Sequence, residues 1–395
     1  MRILYVHSTL QPPPTDLQTD RFHLLSAELE GDVLQPIWFQ TPAEVEAMFG
    51  PGSYPVYTVG RFRYHWFLGS PHRGVRQRLA TFRFYLGKGV ELYRERKFDC
   101  IVAYSHMTTG LLAGAIKLLT GAKLIIEIVT SPEHVYISHS AKPTLRERAM
   151  KLYSDVCLHL SMFLADRAHF LYPNQTGAYR LLRKIRNSVF HEFVPVAAIQ
   201  RDEEREKRER YILLVGAPWY LKGADLLVRA FLEVAAEFPD VKLRIRGFEP
   251  DGAELKAMTG GSERIEILGP RPHPEALKMI AGSTVLAAPS RCEGLSRVLL
   301  EGMAAGVPLI GADLGGIPVL VRHEENGLLV PPEDAGALAD ALRRMLRDPE
   351  LRSRMGDAGY TRARALMDEK AYIREFSAMI RLTVEGAPVA RVAPQ

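Results

Sequence analysis

Cysteine is scarce in this chain of 395 residues, which contains only Cys100, Cys157 and Cys292. The three are far apart, odd in number, and lack the CxxC or Cys/His spacing of zinc sites. A disulfide framework needs paired cysteines and an oxidising compartment. The pattern therefore argues against a structural zinc site and against a disulfide framework, and it favours a reducing compartment.

Long apolar runs are also missing. No stretch approaches the roughly 18–20 apolar residues that a membrane-spanning helix requires. The opening MRILYVHS has the length of a strand and lacks the charged-then-apolar order of a signal segment. We therefore expect a cytoplasmic protein, or one that lies peripherally on the inner face of the membrane.

Two motifs that bind nucleotides in enzymes are absent. No G-x-G-x-x-G follows the strand that opens either half of the chain, which argues against a dinucleotide dehydrogenase. No Asp-x-Asp pair is present to hold a metal-bridged diphosphate. We expect neither a metal site nor a bound cofactor.

Apolar runs of strand length alternate with segments of helical period along the whole chain. The first half contains RILYVHS, FDCIVAYS and AKLIIEIVT, and the second contains YILLVGA, VKLRIRG, RIEILG and STVLAAP. Continuous apolar strands joined by helices are typical of a parallel sheet that is covered on both faces. Two such sets predict an α/β protein with two Rossmann-like, doubly wound domains.

The boundary between the domains is marked by charge. Residues 200–210, QRDEEREKRER, are almost wholly charged and predict a solvated linker. We place an N-terminal domain at 1–195 and a C-terminal domain at 208–365, and expect a helix at 370–385 to pack back on the first. Residues 1–195 carry 23 Lys+Arg and 16 Asp+Glu, a net +7, whereas the remainder carries 28 and 30, a net −2. This asymmetry predicts different partners for the two halves.

The segment 290–320, SRCEGLSRVLLEGMAAGVPLIGADLGGIPVL, concentrates groups that could bind a ligand. It predicts a loop after a strand and then a helix over 295–305. The free N–H groups of the first helical turn suit an anion, and Gly294 permits close approach of the backbone. Glu293 would repel phosphate and suits sugar hydroxyls, as the acidic residue of dinucleotide folds suits ribose. Taken singly, Glu293 and Glu301 also fit a charge at a helix start and a solvated helical residue.

Together these residues resemble the E-x7-E region of glycosyltransferase family 4, whose members are retaining enzymes with the GT-B fold. Twelve positions are in register: Ser290, Glu293, Gly294, Leu300, Glu301, Met303, Ala304, Ala305, Gly306, Pro308, Gly315 and Gly316. Upstream, Lys222–Gly223 matches the Lys-Gly element of the family. The resemblance implies two Rossmann-like domains that face each other across a cleft.

The resemblance also implies roles for residues. Lys222, with Gly223 beside it, would neutralise the diphosphate of a UDP- or GDP-sugar. Glu301 would hold the ribose hydroxyls, and Glu293 the hydroxyls of the transferred sugar. Backbone amides at the helix start would hold phosphate: Gly294, Leu295 and Ser296. His106, after the strand FDCIVAYS, matches a His common at that strand end, so Glu293, Lys222 and His106 are the candidate catalytic residues.

Two departures from the family concern the same chemistry. Ala217 stands where the family usually has an Arg that binds phosphate, so Lys222 acts alone or with another cation such as Arg291. The usual active-site His falls near Val129, where no His is present. Three nearby residues are candidate replacements: Glu127, Thr130 and His134.

Residues 61–97 interleave basic and aromatic side chains, with 10 Lys+Arg, 2 Asp+Glu and 8 Phe, Tyr or Trp. This composition suits an anionic membrane surface or a lipid-phosphate acceptor. Nucleic acid is a formal alternative that we do not expect. The simpler interpretation is that Arg stems pack over buried aromatic rings.

The sequence thus predicts a retaining, metal-independent glycosyltransferase (hexosyltransferase class). Its donor would be a nucleotide-sugar and its acceptor a glycan or lipid-linked glycan, in the synthesis of a cell-surface polysaccharide. Two alternatives stay open: a non-catalytic nucleotide-sugar-binding subunit, and a GT-B relative with epimerase or phosphorylase chemistry.

Overall fold

The computed structural model of the chain describes residues 1–7, 20–37, 56–68, 75–129, 144–173, 175–177, 180–202, 204, 209–247, 253–269 and 273–387. The chain divides into two compact units. The first consists of Met1–Pro132, Met150–Phe193 and Glu369–Gln395, and the second of Glu133–Ala149 and Val194–Asp368. Each unit has its own sheet, so the predicted α/β class with two doubly wound sheets is confirmed.

The sheet of the first unit has the order β3-β4-β2-β1-β5-β6-β7-β8, and only β3 runs antiparallel to its neighbour. Its strands are β1 (Arg2–Val6), β2 (Glu30–Ile37), β3 (Val56–Val59), β4 (Phe62–Leu68), β5 (Cys100–Tyr104), β6 (Lys123–Ile128), β7 (Arg167–Phe170) and β8 (Asn187–Val189). The helices between them are α1 (Arg21–Leu25), α2 (Val75–Glu95), α3 (Thr108–Thr120), α4 (Leu145–Leu164) and α5 (Arg180–Lys184).

Both faces of this sheet are buried, which explains the continuous apolar strands. Successive side chains of a strand point to opposite faces. In β1, Ile3 and Tyr5 join one apolar cluster, whereas Leu4 and Val6 join another, and all four are fully buried.

The second unit is built on a wholly parallel sheet of order β11-β10-β9-β12-β13-β14. Its strands are β9 (Tyr211–Val215), β10 (Lys242–Arg246), β11 (Ile265–Leu268), β12 (Val285–Ala288), β13 (Leu309–Ala312) and β14 (Gly327–Val330). Its helices are α6 (Ala224–Val234), α7 (Ala253–Met258), α8 (His273–Ala281), α9 (Arg297–Ala304), α10 (Ile317–Leu320), α11 (Ala335–Arg347) and α12 (Pro349–Leu366).

The last helix, α13 (Glu369–Val384), belongs to the first unit although it follows the second in sequence. Its Tyr372 and Phe376 pack with Phe190 in the first unit's core. Arg167 of β7 fastens the end of the helix, because its Nε donates to Thr383 Oγ1 at 2.8 Å.

The basic and aromatic segment 61–97 forms β4 and α2. Four of its aromatic side chains are buried in the first unit: Phe62, Tyr64, Trp66 and Tyr85. Core packing therefore accounts for much of the aromatic content. Leu79 and Phe82 of α2 stay exposed, at 57% and 43%. Among the described helices, none is long and apolar enough to span a bilayer.

Candidate functional site

The candidate site of the second unit lies at the carboxyl ends of two central strands. From β9 the chain continues to β10 on one side, and from β12 it continues to β13 on the other. Connections that leave neighbouring parallel strands in opposite directions open a crevice, and ligands of doubly wound sheets bind there. Lys222 follows β9 and Glu293 follows β12, so both lie beside this point.

The structure brings Lys222 and Glu293 into direct contact. Lys222 Nζ donates to Glu293 Oε2 at 2.8 Å, and Ser290 Oγ donates to the same oxygen at 3.3 Å. The lysine side chain is 23% exposed and the glutamate side chain 12% exposed. The pair is therefore half-sheltered from water yet within reach of a ligand.

Glycines allow the backbone to hold this pair. Gly223 has φ of +70°, begins α6, and packs so tightly that an added Cβ would lie 1.9 Å from the carbonyl oxygen of Pro289. Gly315 has φ of +58°, and a Cβ there would meet the carbonyl oxygen of Glu293 at 2.2 Å. The turn at Gly315–Gly316 is hydrogen-bonded to Gly294, because Gly316 N donates to the carbonyl oxygen of Gly294 at 3.1 Å.

Glu301 lies inside α9 and is almost fully buried, at 4% exposure. His273 Nε2 donates to its Oε1 at 2.8 Å, and Arg297 Nε donates to the same oxygen at 3.2 Å. Ser296 is the N-cap of α9 and makes no side-chain capping bond. The predicted phosphate amides of Gly294, Leu295 and Ser296 lead directly into this helix.

Arg291 is poorly suited to the role of a second phosphate cation. It makes a bidentate pair with Asp225 at 2.6 and 2.8 Å, and its Nε donates to Glu333 at 2.6 Å. It also donates to the carbonyl of Tyr220 at 2.6 Å. A guanidinium has five N–H donors, so a single donor is left for a ligand. Burial opposes the charge, but Asp225 and Glu333 outweigh it and raise the pKa of Arg291.

His106, in the first unit, is only 1% exposed. Its Nε2 lies 3.0 Å from Ser154 Oγ, and its carbonyl accepts from Ser161 Oγ at 2.7 Å. Burial, followed by the charge of Lys151, lowers the pKa of His106 to about 4. Its contacts thus join the end of β5 to α4.

Glu127 is the only described member of the three candidate replacements for the missing His, since Thr130 and His134 lie outside the described residues. Its Oε1 accepts from Arg21 Nη2 at 3.2 Å and from His169 Nδ1 at 3.1 Å, and its Oε2 accepts from Tyr5. Burial opposes ionisation, but Arg21 and the hydrogen bonds from His169 and Tyr5 outweigh it and lower the pKa of Glu127 to about 2.

Sequence reasoning missed the partners of these carboxylates. Arg297 could have been found, because it precedes Glu301 by four residues on a helix. His273 and Arg21 carry no such signal, since they are distant in sequence from Glu301 and Glu127. Among the described residues, no group of three or more His, Cys, Asp or Glu side chains is placed to hold a metal ion.

Residues 196–362 match the family model of glycosyl transferases group 1. The site described above lies wholly within the matched residues.

Two curated relatives are similar over 41% and 68% of the chain. The D-inositol 3-phosphate glycosyltransferase of Corynebacterium aurimucosum is 32% identical over 179 residues, which are 41% of this chain and 42% of that protein. The chain thus spans less than half the length of this relative. A GDP-mannose-dependent monoacylated alpha-(1-6)-phosphatidylinositol monomannoside mannosyltransferase of Corynebacterium glutamicum is 27% identical over 285 residues, covering 68% of this chain and 72% of that protein.

Solved structures are similar over nearly the whole chain. Sucrose-phosphate synthase from Thermosynechococcus elongatus superposes with a TM-score of 0.75 at 19% identity, covering 98% of this chain and 100% of that chain. Anabaena HepE in complex with UDP-glucose gives 0.69 at 15% identity, covering 96% and 99%. This likeness confirms the predicted GT-B fold class.

We expect Gly223→Ala to destabilise the second unit more than Gly260→Ala. Both glycines have a left-handed φ, but an added Cβ at Gly260 would meet nothing within 4 Å. The left-handed backbone alone costs an alanine about 1 kcal/mol. Gly223→Ala adds the clash with Pro289, so its melting temperature should fall further. Equal losses for the two variants in a thermal denaturation experiment would contradict the proposed packing.

We expect His106 to make stability depend on pH. The folded protein keeps it neutral down to its pKa of about 4, whereas the ordinary value is 6.5. Between these values the unfolded chain binds more protons, so the free energy of unfolding rises with pH across this window and is lost as pH falls. His106→Gln should flatten the dependence, measured as urea midpoints at pH 4.5, 5.5 and 7. The exposed His159→Gln is the control, and an unchanged slope in His106→Gln would refute the assignment.

Proposed function

We propose that this protein is a glycosyltransferase that moves a sugar from a nucleoside-diphosphate donor to a glycan or glycolipid acceptor. One observation carries the proposal. Lys222 and Glu293 meet at 2.8 Å beside the switch point of a sheet whose residues match the glycosyl transferases group 1 model. A cation and a carboxylate at this place suit the two ends of a nucleotide-sugar, the diphosphate and the sugar hydroxyls.

The proposed reaction is retaining and independent of metal. The leaving diphosphate gains charge as the bond to the sugar breaks, and Lys222 with the first-turn amides of α9 would stabilise that charge. Glu293 would hold the hydroxyls of the sugar, and Glu301 those of the ribose. The acceptor hydroxyl would attack from the face of the leaving group, whose oxygen takes the proton.

The acceptor side is proposed from charge and from a relative. Residues 1–195 carry the net +7, which suits an acceptor that bears phosphate. The relative from Corynebacterium glutamicum is named for a phosphatidylinositol mannoside acceptor. We propose UDP- or GDP-sugar as the donor and a lipid-linked glycan of a cell-surface polysaccharide as the acceptor, used at the cytoplasmic side of the membrane.

A non-catalytic nucleotide-sugar-binding subunit is the second candidate. Two observations favour it. Ala217 stands in place of the usual phosphate-binding Arg, and Arg291 is already bound to Asp225 and Glu333, so it is poorly placed to supply the missing positive charge. Such a subunit would bind a nucleotide-sugar without turnover.

Lys222→Ala and Glu301→Ala should each lower donor turnover by two or more orders of magnitude, because each removes a charge-assisted contact. UDP-, GDP- and ADP-sugars would first be screened by thermal shift, and release of nucleoside diphosphate then measured. Lys256→Ala, at an exposed position of α7, is the control. Near-normal activity of both site variants would refute the proposal, and donor binding without turnover would support the subunit. An α-linked product from an α-linked donor, formed in EDTA, would confirm the finer assignment.

Membrane contact is proposed for the exposed side of α2, where Leu79 precedes Phe82 by three residues and Arg83 by four. Apolar and basic side chains together suit an anionic bilayer surface. We expect the protein to sediment with phosphatidylglycerol vesicles at low salt, and the double variant Phe82→Ser, Arg83→Ser to bind more weakly. Absence of wild-type binding at low salt would exclude this contact.

A further inference from the structure

The carboxylate of Glu301 is held from one side. Both contacts that described side chains make to it reach Oε1, from His273 Nε2 at 2.8 Å and from Arg297 Nε at 3.2 Å. A carboxylate offers about four lone-pair positions, divided between its two oxygens. Fixing Oε1 orients the group and directs Oε2 to a constant place.

His273 is the nearer of the two donors to Glu301 Oε1. It is the first residue of α8, and Ala276 and Ile280 on the same helix are buried. Its imidazole is nevertheless 52% exposed, whereas Glu301 is 5% exposed. Because a carboxylate only accepts, Nε2 must carry the proton in this contact. The other ring nitrogen and the ring face are left for solvent or a ligand.

We propose that His273 is a positioning residue for nucleotide recognition, which holds Glu301 so that its carboxylate accepts from the ribose hydroxyls. The inference rests on the proposed function, because it assumes that Glu301 binds ribose. A buried carboxylate that must accept two adjacent hydroxyls loses affinity when it rotates freely, and the contact with His273 prevents that rotation.

A purely structural role makes a different prediction for this contact. Losing one donor to a nearly buried carboxylate lowers stability in either case, and Arg297 Nε still donates to the same oxygen. A structural role alone would lower stability without changing the preference for ribose. We therefore expect removal of the imidazole to destabilise the fold moderately and, in addition, to alter the recognition of ribose.

The test compares binding of ribose and deoxyribose nucleotides. Affinities for UDP, GDP and ADP, and for their 2′-deoxy and 3′-deoxy forms, are measured by calorimetry for wild type, His273→Ala and His273→Gln. We expect His273→Ala to bind the ribonucleotide about tenfold more weakly and to discriminate less against the deoxy forms. Gln carries an amide donor of similar reach and should restore most of the affinity. Glu275→Ala, exposed on the same helical turn, is the matched control and should behave as wild type.

The outcomes separate the two proposals. If wild type binds none of UDP, GDP and ADP, the proposed function fails. If wild type binds a nucleotide but His273→Ala keeps the same affinity and the same preference for ribose, only the role of His273 fails. Tighter binding by His273→Ala would also overturn it, because His273 would then compete with ribose for Glu301. An equal loss for ribose and deoxyribose forms would show a general disturbance of the site and would overturn it too.

Discussion

The site of the second unit depends on one contact between opposite charges, Lys222 with Glu293. The loops after the neighbouring strands β9 and β12 leave the same edge of the sheet, and this contact joins them. Each charge lowers the cost of sheltering the other from water. A phosphate that approaches Lys222 must share it with Glu293 or replace Glu293. The same contact that stabilises the loops therefore disfavours weakly charged ligands. Only a strong anion competes for Lys222 with a carboxylate at 2.8 Å.

The two units share a topology but use their strand ends differently. In the first unit, the polar groups at the carboxyl ends of β1, β5, β6 and β7 are satisfied by one another and by nearby helices. Glu127 accepts from three side chains, and His106 is bound to two serines. In the second unit, the corresponding groups keep part of their surface exposed. The polar groups of the first unit are therefore buried among protein partners, whereas those of the second remain accessible to a ligand.

Much of this architecture could be predicted from the sequence. The central strands β1, β5, β9 and β12 could be predicted because both faces of each sheet are covered, and so these strands are nearly continuous apolar runs. The helix expected over 295–305 is α9 (Arg297–Ala304). The positions of Glu293 before this helix and of Glu301 within it follow from their spacing in the sequence. Contacts between residues that are distant in sequence, and that the order of the strands brings together, could not be predicted. His273 is 28 positions from Glu301, and Arg21 is 106 positions from Glu127. The burial of Phe62, Tyr64 and Trp66 agrees with the simpler interpretation of the basic and aromatic segment, whereas composition alone does not distinguish a core from a surface.

The return of α13 to the first unit has a consequence for how the protein is made. The first unit is discontinuous in sequence, whereas Val194–Asp368 of the second is a single uninterrupted stretch. During synthesis, the second unit leaves the ribosome complete before Tyr372 and Phe376 become available to fill the first unit's core. The first unit can therefore complete its core only after Val194–Asp368 has been synthesised. The apolar surface around Phe190 is covered only once α13 has been made. Removal of α13 would therefore destabilise the first unit.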